Sequence, residues 1–199
     1  MSEEAIRRPP GRPRSEDHDE AILAATIALF AEKGYAALTV EGVAARAGVA
    51  KTTIYRRWPG KAALAMDAFL AEVSAEAPCP DTGSAQVDFR LQLRALVALF
   101  SKPHVRQLLA GVAYEAQADP TVAEAFRDRY LAARRGEGSE VLRRGIERGE
   151  LDPALDHETF FDQLYGALYF RLLFGTGSLP PRFADRLVDA MFRDPFPRE

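Results

Sequence analysis

Thirteen prolines punctuate the chain, at 9, 10 and 13, at 59, 78 and 80, at 103, 120 and 153, at 180 and 181, and at 195 and 197. Each group falls between segments of helical periodicity, as expected of a residue that breaks helix interiors but suits first turns. No segment alternates apolar and polar residues over a strand length, and none carries Asn-Gly hairpin chemistry. The expected fold is all-α, with about nine helices. Four of them precede a Pro/Asp/Gly/Ser linker between Pro78 and Ser84, and five follow near 84–101, 104–117, 120–148, 156–174 and 180–192. Gly136, Gly138 and Gly145 lower helix propensity within 120–148, so a kink is expected near 136–138.

The first helix is expected to start at an N-cap, Ser15, with Glu16 and Asp17 favouring its positive end. Its apolar stripe is Ile22, Leu23, Ile27, Leu29 and Phe30, and Gly34 ends it. Thr39 caps the second helix, and Leu38 and Val43 have the spacing of a hydrophobic staple. Position 42 is Gly, so the reciprocal capping-box partner is missing. The third helix runs from Lys51 to Trp58, stopped by Pro59-Gly60, and the fourth from Lys61 to Ala77.

The segment TVEGVAARAGVAKTTIYRRWPGK, Thr39 to Lys61, holds two short helical patterns joined by a three-residue turn. Val43, Ala47, Val49 and Ile54 recur at spacings that let two crossed helices share one small core. Ala44 is small where the axes approach, and Gly48 can take the left-handed conformation that reverses the chain. This is a helix-turn-helix pattern, a scaffold that puts its second helix into the DNA major groove. Charge separates it from an ordinary αα-hairpin. Arg46, Lys51, Arg56, Arg57 and Lys61 occur with no acidic residue from Ala44 to Ala65, whereas a solvated face mixes signs.

The net charge is −3, yet Ala5 to Arg14 and Ala44 to Ala65 are basic islands. An acidic body behind a basic reading head limits indiscriminate binding, while the head supplies phosphate contacts. One cysteine, Cys79, excludes an internal disulfide, and with three histidines it makes a Cys/His metal site implausible. No apolar run reaches transmembrane length and no signal peptide is present, so a cytoplasmic protein with no membrane partner is expected. Neither a cofactor nor a metal is expected.

The stretch from Ser15 to about Ala77 resembles the DNA-binding domain of the tetracycline-repressor (TetR-type) family of bacterial transcriptional regulators. The match rests on three helices of this length and order and on the core LTVEGVAARAGVAKTTIYRRWPGKAAL. The rest is similar to the family's divergent C-terminal domain, with an ERGELDP segment and a terminal helix pair. Composition gives a basic disordered arm over 1–14, and the resemblance implies a DNA-binding domain over 15–77 with its helix-turn-helix at about 39–58, and an effector-binding and dimerisation domain over 84–199. It implies a homodimer on a palindromic double-stranded operator, repression, and release by a small-molecule effector. By position, Lys51 and Thr52 fall where members contact base edges, and Thr53 and Tyr55 where they contact phosphate or thymine methyls. Arg57 and Lys61 fall at backbone-contacting positions, with Arg56 beside them. Lys can donate to guanine O6 and N7, and Thr can offer its methyl to thymine. Ala50 departs from the Ser or Thr that often caps this helix, leaving its first N–H groups to backbone, water or phosphate.

Arg12 and Arg14, in IRRPPGRPR, suit insertion into a narrow A·T minor groove. In the second half, Thr159 to Phe174 is apolar nearly all round and must be covered on two sides. One side can face its own core and the other a second subunit, which points to Ala167, Phe170 and Phe174, with Leu187 and Met191 of the last helix. Phe100, Tyr114, Phe126, Tyr130, Tyr165 and Tyr169 are candidate effector-pocket residues, although aromatics at helical spacing also serve as plain core. The Arg series from 127 to 148 is interleaved with acids and reads as a solvated face. His18, His104 and His157 read as surface residues. The fourth helix is expected to be the only long rigid element joining head and body. Two other readings stand beside the regulator: a small-molecule-binding helical protein without operator binding, and an enzyme. The latter has no Gly-rich phosphate loop, HExxH, GxSxG or Cys-His pair to support it.

Overall fold

The computed structural model describes residues 14–73 and 79–193. Among the described residues all regular structure is helical. The elements are α1 (Arg14–Lys33), α2 (Val40–Ala47), α3 (Lys51–Tyr55), α4 (Lys61–Val73), α5 (Ala85–Phe100), α6 (Pro103–Ala118), α7 (Pro120–Phe126), a π-helical turn (Arg127–Leu131), α8 (Ala132–Glu147), α9 (His157–Phe174) and α10 (Pro181–Phe192). No helix among them is long and apolar enough to cross a membrane. No group of three or more His, Cys, Asp or Glu side chains among them could hold a metal ion.

The head folds as its local chemistry dictates. Thr39 Oγ1 accepts from the Gly42 N–H at 3.1 Å, so the cap of α2 is one-sided. Gly48 is left-handed, with φ 68° and ψ 31°, and turns the chain into α3. Ala50 provides no side-chain cap for α3. Leu38, Val43, Ala44 and Ile54 are buried together against Ile22 and Phe30 of α1. α1 begins at Arg14, one residue before the expected cap at Ser15. α3 closes at Tyr55, and the residues to Trp58 form a turn in which the Trp58 N–H still donates to the Ile54 carbonyl at 2.9 Å.

α4 packs against α1, α6 and α7, while α6 packs against both α1 and α4. One apolar core therefore runs from Ile22 of the head to Val188 of α10. The expectation that α4 alone joins head and body is corrected: α6 reaches α1 directly. At that crossing Gly111 allows the close approach, because a Cβ there would stand 2.8 Å from Tyr35 and 2.9 Å from Phe30.

The linker is tied down by charge. Asp88 of α5 is fully buried, and its Oδ1 accepts from the Thr82 N–H at 2.9 Å and the Thr82 hydroxyl at 2.6 Å. Arg144 of α8 donates to the Pro80 carbonyl at 3.0 Å and lies 3.6 Å from the second Asp88 oxygen. Glu150, in the ERGELDP segment, caps α5 in place of Ser84 by accepting from the Ala85 N–H at 2.8 Å. Partial burial opposes ionisation of Glu150, but hydrogen bonds from Arg148, the Ala85 N–H and Ser84 outweigh it and lower the pKa.

The expected kink near 136–138 is not where the 120–147 helix departs from regularity. The break is the π turn at Arg127–Leu131, where the Ala132 N–H reaches back to the Arg127 carbonyl. Gly138 and Gly145 instead serve close packing. A Cβ at Gly138 would lie 2.7 Å from the Phe161 ring, and one at Gly145 would lie 2.7 Å from the Ala85 methyl. Gly136 has open space around it. Gly138→Ala should therefore destabilise the protein by about 1–3 kcal/mol through overpacking. Gly136→Ala should stabilise it by about 0.5–1 kcal/mol through helix propensity. Denaturant unfolding of the two variants checks the opposite signs.

Candidate nucleic-acid interface and C-terminal cleft

α3 is held by two buried side chains, Ile54 on its inner face and Trp58 just past its end. With that side committed to the core, Lys51, Thr52, Tyr55, Arg56 and Arg57 are exposed and Thr53 is half-buried. The short helix thus offers Lys, Thr, Tyr and Arg on one outward surface. Arg14 opens α1, and Arg12 lies outside the described residues.

The absence of acids between Ala44 and Ala65 does not survive folding as an absence of acidic neighbours. Lys51 Nζ lies 3.2 Å from Glu41 of α2, and Arg46 lies 2.7 Å from Glu32 of α1. Arg57 pairs with Asp19 of α1 and sits 5.7 Å from the centre of the Trp58 ring. Lys61 stands over the Tyr35 ring at 4.4 Å. Local charge counting misses these partners because they come from other helices. The Lys51 and Arg46 pairs are exposed on both sides and worth about 0–1 kcal/mol, so a phosphate can replace them at small cost.

In the C-terminal half, five of the six candidate aromatics converge. Phe126 and Tyr130 pack on each other at 5.2 Å and on Phe69 of α4, and Phe100 meets Tyr169 edge-on at 6.1 Å. The Tyr130 and Tyr169 hydroxyls are 2.9 Å apart, and Tyr165 donates to Gln92 at 2.6 Å. Burial pushes the Tyr130 phenol up to about 12 and raises Tyr165 and Tyr169 as well, so all three stay protonated. Tyr114 does not join them; it is 71% exposed on α6.

Beside this cluster a cleft of about 260 Å³ opens between α8 and α9. Tyr165 and Tyr169 line it with Leu131, Arg134, Arg135, Phe161, Asp162 and Gly166. The sequence reading of the Arg series as a solvated face holds for Arg127, Arg129, Arg143 and Arg148, which are exposed, and is corrected for Arg134. Arg134 is buried, donates to the Val73 carbonyl at 3.3 Å and lies 3.2 Å from Glu137. Arg135 pairs with Asp162 at 2.5 Å at the cleft's edge. Opposite signs in the sequence marked pairs, but period alone could not say which arginines point inward. Cys79 is half-buried beside this region, and burial pushes its thiol up to about 12, so it is no nucleophile at neutral pH. His104 is not a plain surface residue either: its Nε2 lies 3.1 Å from Glu72 of α4.

The two sides of α9 differ as its composition requires. Phe160, Phe161, Leu164, Leu168 and Leu172 are buried, while Phe170 is 56% and Phe174 71% exposed. These two rings pack on each other at 5.3 Å, with Leu173 also exposed. Ala167 and, on α10, Leu187 and Met191 are half-buried.

Comparison with known proteins agrees with this geometry. Residues 22–68 match the family described as "Bacterial regulatory proteins, tetR family", and residues 79–191 match "Tetracyclin repressor-like, C-terminal domain". The HTH-type transcriptional regulator YdeS of Bacillus subtilis is 39% identical over 187 residues, covering 92% of this chain and 88% of that protein. The DNA-binding transcriptional repressor TetR of Mycobacteroides abscessus is 31% identical over 186 residues, covering 88% of this chain and 92% of that one. Among solved structures, the TetR family transcription regulator SCO0332 superimposes with a TM-score of 0.75 at 36% identity, covering 88% of this chain and 97% of that one. A helix-turn-helix with an outward basic helix, joined through α4 and α6 to a helical body, thus belongs to a DNA-binding transcriptional regulator of the TetR family.

Proposed function

We propose that this regulator is a repressor that binds a palindromic operator as a homodimer and is released by a small molecule entering the α8–α9 cleft. The observation that carries the DNA-reading part is the surface of α3, where buried Ile54 and Trp58 turn Lys51, Thr52, Tyr55 and Arg56 outward. In this reading Lys51 and Thr52 read base edges. Thr53, Tyr55, Arg56, Arg57 and Lys61 contact the backbone or thymine methyls, and Arg12 and Arg14 follow the minor groove. A relative whose name includes "transcriptional repressor" supports the sign of regulation.

In this reading the exposed Phe170 and Phe174 supply the self-association surface, with Ala167, Leu187 and Met191 as further candidate members. Two large rings side by side in water have a strong drive to be covered. A two-fold dimer reading a palindrome needs its two copies of α3 in successive major grooves, which lie about 34–36 Å apart. Phe100, Phe126, Tyr130, Tyr165 and Tyr169 form or support the cleft wall, and in this reading Tyr114 plays no part in it.

Lys51→Ala should weaken binding to the duplex upstream of the protein's own gene by about 1–3 kcal/mol and relax preference at one base position. Lys61→Ala should weaken all sequences alike and lower the slope of log K against log salt by about one. Titrations at several salt concentrations check both, and a base-selective loss at Lys61 would contradict the placement of α3.

Phe170→Glu should convert the dimer to monomers or insoluble protein. Light scattering checks this, and a well-folded monomer from the unmodified chain would refute the proposed interface. Any small molecule that releases DNA must itself bind more weakly in the presence of operator, typically by about 5–150-fold. Calorimetry with and without duplex measures that reciprocity.

A further inference from the structure

Trp58 is the only tryptophan of the chain, and it is buried directly behind the reading helix. Its indole Nε1–H donates to Asp67 Oδ2 of α4 at 2.9 Å. The other Asp67 oxygen lies 2.6 Å from Arg129 NH1, and Arg129 belongs to the π turn between α7 and α8. One half-buried carboxylate is therefore held from the head on one oxygen and from the body on the other.

The π turn is also part of the cleft wall. Leu131 lines the α8–α9 cleft, and Tyr130 meets Tyr169 through its hydroxyl and Phe69 through its ring, edge-on at 4.9 Å. A π turn holds one residue more than a regular helical turn and is a less favourable arrangement. Closing it to α-helical geometry would rotate the residues on one side of it by about 100° relative to those on the other. Arg129 and Tyr130 could not then keep both Asp67 and Tyr169. Space for such movement exists: a second cleft of about 260 Å³, with Pro59, Gly60, Met66 and Arg129 in its walls, separates α7 from the start of α4.

We propose that Asp67 is a positioning residue for the reading helix, tying the orientation of α3 through Trp58 to the state of the π turn through Arg129. Occupancy of the α8–α9 cleft is then communicated to the DNA-binding surface along Tyr169, Tyr130, Arg129, Asp67 and Trp58, beside the packing of α6 on α1 and α4. This rests on the DNA-reading function proposed above, but the tie itself can be measured without DNA.

The test uses the full-length chain and Trp58 as its own reporter. Without DNA, Arg129→Ala should shift the Trp58 emission maximum and change its accessibility to a neutral quencher, with helical circular dichroism unchanged. With the upstream duplex, Arg129→Ala and Asp67→Asn should each weaken binding by about tenfold, a typical coupling magnitude. The salt slope should not change, since neither substitution removes a phosphate contact. The double variant should lose no more than either single one, and Arg129→Lys, which keeps a cation for Asp67, should recover most of the affinity.

Unchanged Trp58 emission in Arg129→Ala overturns the tie, as do additive losses in the double variant. A flattened salt slope overturns it too, because Arg129 would then be a phosphate contact. If Arg129→Ala loses helicity, Asp67→Asn decides in its place, since it keeps an oxygen for the Trp58 indole while removing the charge that holds Arg129. If the unmodified protein binds no duplex, the repressor reading fails, and the emission measurement alone then upholds or overturns the tie.

Discussion

Burial of Phe69 organises this molecule. The ring sits on α4 with no solvent exposure, 4.9 Å from Tyr130 and 6.1 Å from Phe126. Because α4 also packs on α1, the helix that completes the head is the same helix that anchors the body. A fully buried Phe is worth several kcal/mol against truncation, and the core here continues in both directions. Head and body cannot be repacked independently, so a change on one side has a physical route to the other.

Charge has a different role. Arg46, Lys51 and Arg57 are engaged by Glu32, Glu41 and Asp19, and Lys61 rests on Tyr35; the pairs of Arg46 and Lys51 are exposed, low-value contacts. They hold long side chains near the surface that faces DNA and give way readily to phosphate. The buried charges behave otherwise. Asp88 carries no solvent exposure and survives only because Thr82 and Arg144 surround it, which pins the linker onto α5 and α8. The chain thus keeps exchangeable pairs where a ligand must bind and committed ones where the fold must close.

Much of the molecule was legible along the chain. Prolines and helical period placed the helices to within a few residues. Thr39, Gly48 and Ala50 had local roles that the backbone then adopted, because capping and left-handed turns depend on only a few neighbouring residues. The outward residues of α3 and the two-sided character of α9 followed from period alone. The glycines of α8 were misread for a physical reason: a low helix propensity looks the same whether glycine marks a kink or admits a neighbouring ring, and only Phe161 against Gly138 distinguishes the two.

By itself, then, the sequence determined the helical class, the helix-turn-helix and the identity of the side chains offered to DNA, all set by interactions within a few residues. The tertiary structure alone decided which arginines turn inward, that Tyr114 stands apart from the other aromatics, and that Arg129, Asp67 and Trp58 meet. Those depend on residues 9 to 62 positions apart in the chain being brought within hydrogen-bond range, and no local pattern encodes which distant partner a side chain will find.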